Sequence, residues 1–76
     1  MSDIIVYTRP GCAPCMMVKR HLDDNNIPYT AKDVEADPKA EAELADLGFM
    51  KTPITVVKGQ EPIIGYDYPR LSALTK

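Results

Sequence analysis

Ile4-Ile5-Val6-Tyr7-Thr8-Arg9-Pro10-Gly11-Cys12-Ala13-Pro14-Cys15 decides how the chain is to be read. Its first half is apolar on both alternating faces, the composition of a strand covered on both sides. Its second half turns through Pro10-Gly11 into a C-x-x-C pair, placed where a helix is expected to begin. A helix opening at Ala13 leaves Cys12 at its exposed N-terminus and carries Cys15 in its first turn. Pro14 suits that turn, whose amides have no intrahelical acceptor, and it restricts the ring joining the two cysteines. A thiol of ordinary pKa, about 8.5, is mostly protonated at neutral pH, but free amides at a helix N-terminus stabilise its thiolate. Cys12 is therefore expected to attack a substrate disulfide. Cys15 is expected to resolve the mixed disulfide, which leaves the motif oxidised and the substrate reduced.

Downstream of the pair, Cys15, Val18 and Leu22 fall at helical spacing, which predicts a helix over residues 13–26. Residues 28–34 read as a more polar, outer strand. Asp37-Pro38 marks a second helix start, since Asp caps open amides and Pro needs no helical N–H at the first position. Ala40, Leu44 and Leu47 define the expected buried face of that helix, and Gly48 its stop. Residues 54–57 have the β-branched composition of a third strand. Lys58-Gly59-Gln60-Glu61 turns it into a fourth over residues 62–64, and residues 69–74 form a short closing helix. The order β-α-β-α-β-β-α holds no internal repeat and no linker, so one α/β domain over residues 1–76 is expected.

With 76 residues and two cysteines, the chain is near the size at which one core supplies marginal stability, and it has no disulfide-dense framework. A Cys12–Cys15 bridge closes too short a loop to staple the fold, so it reads as reversible chemistry. A structural zinc normally takes four ligands, and two cysteines with the single histidine, His21, fall short. A non-enzymatic protein-binding or metal-binding module, with metal shared between chains, is the alternative, and His21 reads as a surface residue of a polar stretch. The formal charge of −2 without a basic tail argues against nucleic acid or anionic membrane as a partner. No basic leader precedes an apolar segment and no apolar run can cross a bilayer, which makes the cytoplasm the expected location. Local charge differs from the net value, because Arg9, Lys19, Arg20 and Lys51 flank the segments expected to form the active face.

Two further segments admit two readings each. In Lys51-Thr52-Pro53, Pro53 is either an ordinary trans proline opening a strand, or a cis proline whose rigid turn sets the Thr52 backbone beside Cys12. In the second case an extended peptide can pair with Thr52. Gly65-Tyr66 is either a strand-ending turn with a packed aromatic or part of a partner-docking wall before the last helix.

Taken in order, Val6-Tyr7-Thr8-Arg9-Pro10-Gly11-Cys12-Ala13-Pro14-Cys15, Leu47-Gly48-Phe49 through Thr52-Pro53, and Gly65-Tyr66 through Arg70-Leu71 span nearly the whole chain. In this arrangement the chain resembles the thioredoxin-fold redoxins, and among them the NrdH-type, glutaredoxin-sized proteins. The resemblance implies a thioredoxin-like, four-stranded mixed sheet flanked by three helices. It matches Cys12 and Cys15 to the attacking and resolving cysteines, and Thr52-Pro53 to the cis-proline border of the substrate groove. Arg9, Pro14, Lys51, Gly65 and Tyr66 become expected partner-docking positions. It also implies a monomer that binds no cofactor itself, fed by a thioredoxin reductase that uses NADPH and FAD, with a class Ib ribonucleotide reductase as acceptor. Ala13-Pro14 departs from the more usual family dipeptides. The relative to be told apart is a glutathione-dependent glutaredoxin, which commonly carries a Gly-Gly turn before a polar helix start. Here the stretch is Gly65-Tyr66-Asp67-Tyr68-Pro69, where Tyr66 adds bulk and Pro69 removes an amide donor.

Overall fold

Every helix in the computed structural model, which describes residues 3–75, opens the same way: a side-chain acceptor at the cap, then a proline in the first turn. Strand β1 (Ile4–Thr8) leads to α1 (Ala13–Asp24), β2 (Thr30–Asp33), α2 (Pro38–Asp46), β3 (Ile54–Val57), β4 (Ile63–Ile64) and α3 (Tyr68–Ser72). A 3-10 turn over Ala73–Thr75 continues α3. Asp37 accepts the Lys39 amide at 3.0 Å to start α2, and Asp67 accepts the Arg70 amide at 3.2 Å to start α3.

The four strands form one sheet in the order β2-β1-β3-β4. β1 runs parallel to β2 and antiparallel to β3, and β4 pairs antiparallel with β3. The sheet is thus mixed, with β1 and β3 central and the polar β2 at an edge. Alternation along the central strands divides the core into two layers. Ile4 and Val6 pack with Val18 and Leu22 of α1, Leu71 of α3, Val57 and Ile63. On the opposite face Tyr7 and Ile54 pack with Val34, Ala40 and Leu44 of α2.

Element ends differ from the sequence reading for local reasons. Helix α1 stops at Asp24, two residues short of the expected end, because the Asn25 amide and side chain both donate to the His21 carbonyl and Asn26 takes a left-handed φ of 56°. Strand β2 covers less than residues 28–34: it begins at Thr30, and at its other end Asp33 turns the chain, its carboxylate accepting the Glu35 and Ala36 amides. The last helix begins one residue earlier than expected, behind the Asp67 cap. Leu47 is the correction to the expected core: it is 44% exposed, lying past the end of α2, where Gly48 turns the chain with φ of 89°. His21 is half-buried against α3, its ring edge-on to Tyr68 at 5.6 Å, rather than fully at the surface.

A polar bridge fastens α2 to the sheet. Tyr7 Oη donates to Glu43 Oε1 at 2.9 Å, and Lys32 Nζ pairs with the same oxygen at 2.8 Å. Lys32, more than Tyr7, holds the Glu43 carboxyl below its usual range. Burial, assisted by the Glu43 hydrogen bond and charge, pushes the Tyr7 phenol up to about 12. Because the folded pKa lies above the unfolded value near 10, the neutral phenol's contribution is complete below pH about 10 and declines as pH rises toward 12. Spectrophotometric titration of the native protein should show one tyrosine ionising near 12, and Glu43→Gln should lower that value. Leu22→Ala should cost about 2–5 kcal/mol in denaturant unfolding, and Leu47→Ala less than about 1 kcal/mol, as its exposure requires.

Candidate active site

The turn after β1 delivers Cys12 to the cap position of α1, with extended φ and ψ of −99° and 104°. Its Sγ accepts the Cys15 amide at 3.2 Å. A sulfur therefore stands where Asp37 and Asp67 put carboxylate oxygens at the other two helices. The site is built to hold a negative atom, since the unpaired amides of a first helical turn favour an anion at the cap. Cys12 is half-buried, whereas Cys15, on the inward stripe with Val18 and Leu22, is fully buried. The two form a disulfide with Cα atoms 5.2 Å apart. Ala13 and Pro14 between them are exposed, so an approaching partner meets them together with the edge of Cys12.

A second segment, the loop that leads into β3 beside β1, closes on the same sulfur. The Thr52–Pro53 peptide is cis and Pro53 is buried at the start of β3. Thr52 Oγ1 lies 3.7 Å from Cys12 Sγ and the Thr52 carbonyl oxygen 3.9 Å from it. In the disulfide the sulfur carries no proton, so the hydroxyl is the donor of this pair, and it adds to the Cys15 amide in favouring negative charge on Cys12. The Gly65 amide donates to the Pro53 carbonyl at 2.9 Å, and Gly65 has φ of 70°, a backbone region that glycine enters at little cost. Arg70 fixes the same region, donating to the carbonyls of Pro62 and Glu61 at 3.2 and 3.0 Å.

The structure thus brings Cys12, Cys15, Thr52, Pro53 and Gly65 together. Arg9 and Lys51 are exposed in the loops on either side. Arg9 borders a groove of about 470 Å³ against α2, with Val34, Leu44, Phe49 and Met50 among its lining. Tyr66 packs on the α1/α3 core layer and lines a cavity with Met17, Arg20, His21 and Asp24. Sequence reasoning passed over Met16 and Met50, 64% and 92% exposed near the pair and near Thr52, although a hydrophobic residue off the helical stripe was the available signal for Met16. It also passed over Thr8 and Thr55, the two buried polar side chains among the described residues. Among the described residues, no group of three or more His, Cys, Asp or Glu side chains is arranged to hold a metal, and no helix is long and apolar enough to cross a membrane.

This geometry has counterparts among known proteins. The glutaredoxin family model matches residues 4–61. The SPbeta prophage-derived thioredoxin-like protein YosR of Bacillus subtilis is 33% identical over 96% of this chain and 94% of that protein. The crystal structure of the thioredoxin-like protein BC3987 has a TM-score of 0.86 at 39% identity, covering 93% of this chain and 97% of that one. NrdH-redoxin of Escherichia coli, a glutaredoxin-like protein, has a TM-score of 0.83 at 25% identity, covering 93% and 92%. With the strand, the cysteine pair and the proline loop all inside the matched region, the chain belongs to the glutaredoxin family as an NrdH-like thiol–disulfide oxidoreductase.

Proposed function

We propose that the protein reduces protein disulfides, with Cys12 attacking and Cys15 resolving, and is itself reduced by a thioredoxin reductase. The observation that carries the assignment of roles is the contrast between a half-buried Cys12 at a helix cap and a fully buried Cys15. Attack requires an accessible sulfur with thiolate character; resolution requires a sulfur close by that substrate cannot reach. The Cys12 thiolate attacks one sulfur of the substrate disulfide and expels the other as a thiolate. Cys15, after losing its proton, then attacks Cys12 Sγ, forming the Cys12–Cys15 bond and releasing the second substrate thiol. Two electrons pass from the pair to the substrate.

The choice of reductant rests on the helix start at Asp67. Its carboxylate caps α3 through the Arg70 amide, and Pro69 removes a donor from the same turn. A glutathione carboxylate approaching there meets an engaged acid, the bulk of Tyr66 and one amide fewer. The solved NrdH-redoxin of Escherichia coli is described as having a thioredoxin-like activity profile, and the same profile fits this chain. Electrons then come from NADPH through the FAD of the reductase, and the acceptor is the disulfide of a class Ib ribonucleotide reductase in the cytoplasm. Thr52 and Pro53 border the groove for the acceptor segment, Pro14 and Gly65 form its walls, and Arg9 and Lys51 flank it. Tyr66 shapes the adjoining surface on the α1 side. The protein acts as a monomer and holds no cofactor of its own.

Cys15→Ser should trap the acceptor on Cys12 as a mixed disulfide that mass spectrometry locates, and Cys12→Ser should reduce turnover to background. Trapping chiefly at Cys15 of the otherwise native protein would reverse the roles. In a coupled assay, NADPH consumption should require the reductase, this protein and an oxidised acceptor together, with little turnover on glutathione alone. Efficient glutathione turnover with no reaction toward thioredoxin reductase would make the protein a glutathione-dependent enzyme instead.

A further inference from the structure

Helix α1 carries apolar side chains on two opposite sides. Cys15, Val18 and Leu22 face the core. Ala13, Met16, Met17 and Arg20 recur at intervals of three and four on the other side, so the first turns of α1 present two methionines to solvent. Met16 is 64% exposed and Met17 50%. These four residues line an open depression of about 340 Å³, and Met17 and Arg20 also line the cavity of about 250 Å³ beside Tyr66. Exposed apolar side chains gathered beside a reactive group, rather than scattered, mark a contact surface.

Ala13 joins this depression to the site, since it lies inside the ring closed by Cys12 and Cys15. The depression is therefore continuous with the surface that a disulfide reaching Cys12 must cross. Its charge favours one sign of partner. Arg20 meets Asp24 only through Nε at 3.7 Å, with both side chains largely in water, a weak pair that a second carboxylate can share. Lys19 stands beside Arg20, whereas the acids Asp23 and Asp24 lie a turn further from the cysteines, so the end of α1 nearer Cys12 is positive. An extended segment meets this surface at a definable register. A helix rises about 1.5 Å per residue, which puts Met17 about 6 Å and Arg20 about 10 Å along α1 from Ala13. An extended chain covers about 3.3 Å per residue with alternate side chains on one face. A substrate cysteine bonded to Cys12 thus sets its second neighbour over Met16 and Met17, and its fourth within the length of the Arg20 side chain.

We infer that this face is a specificity subsite for the acceptor, seating a bulky apolar side chain two positions from the reactive cysteine and a carboxylate four positions from it. The occupant is an extended segment of the acceptor protein that meets Thr52 on one side of Cys12 and runs along α1 on the other. Methionine suits an occupant whose apolar residue varies, because its unbranched thioether side chain repacks around different shapes. The subsite adds no chemical step, and the inference rests on the acceptor being a protein disulfide reduced through Cys12.

The test uses the disulfide-linked dimer of a peptide symmetric about its cysteine, Glu-Ser-Leu-Ser-Cys-Ser-Leu-Ser-Glu, so that chain direction does not matter. Prereduced protein is mixed with it, and chromatography after acid quenching follows the released peptide thiol to give a second-order rate constant. The leucine peptide should react about tenfold faster than its alanine counterpart, the effect of burying roughly half a leucine side chain. Lysine in place of both glutamates should cost about threefold at low salt and little at high salt. The decisive readings are ratios within one variant, which cancel changes in folding or cysteine acidity. With Met16→Gln and Met17→Gln together, which retain helix-forming side chains, the leucine-to-alanine ratio should fall toward one. Arg20→Glu should invert the preference for glutamate over lysine. Equal rates for the leucine and alanine peptides, or a ratio that survives the methionine changes, would overturn the subsite while leaving exchange at Cys12 standing. Failure to reduce any of the peptides or insulin would overturn the reading beneath it. If the methionine changes slow reduction of the oxidised protein by thioredoxin reductase and leave the peptide ratios as they were, the face belongs to the electron donor and the acceptor assignment falls.

Discussion

The structure depends on β1 having to be covered on both faces. Ile4 and Val6 demand one apolar layer and Tyr7 another, and a single strand can satisfy both only at the middle of a sheet with helices on either side. That requirement places α1 and α3 on one face and α2 on the other. It also fixes where β1 ends, and with it where Cys12 emerges. The reactive end is thus a consequence of packing the strand rather than a separate construction.

The three helix starts show how little the chemistry alters the scaffold. Asp37 and Asp67 cap their helices, with proline behind each cap to remove an amide that would otherwise want a partner. Cys12 and Pro14 follow the same construction with sulfur in place of oxygen. A thiolate there gains what a capping carboxylate gains, while a neutral thiol gains less. The preference for the charged form follows from a local rule of helix termination, strengthened by the Thr52 hydroxyl at 3.7 Å.

The two cysteines also divide two environments between them. Cys12 meets amides, a hydroxyl and the edge of solvent; Cys15 meets the apolar layer under α1. A pair treated alike would exchange roles freely. Burial of one sulfur and capping by the other support the proposed order of events, and among the described residues no charged side chain is buried.

The amino-acid sequence by itself determined the elements and the sulfur chemistry. Periodicity placed Cys15, Val18 and Leu22 on one stripe, β-branched runs gave β1 and β3, and Asp-Pro announced α2, because these signals act over a few residues of adjacent chain. Resemblance to known redoxins added the mixed arrangement of the sheet and the significance of Pro53. Leu47 and the ends of α1 and β2 were misjudged, since helix periodicity does not report where a cap turns the chain, and side-chain bonds from Asn25 and Asp33 decided those ends. Tertiary structure alone brought Thr52 to Cys12 across forty positions of sequence and tied Gly65 to Pro53. It sent Tyr66 toward α1 and put two threonine hydroxyls into an apolar layer. Those placements depend on sheet order and register, which are set by the simultaneous burial of distant segments and carry no local signature.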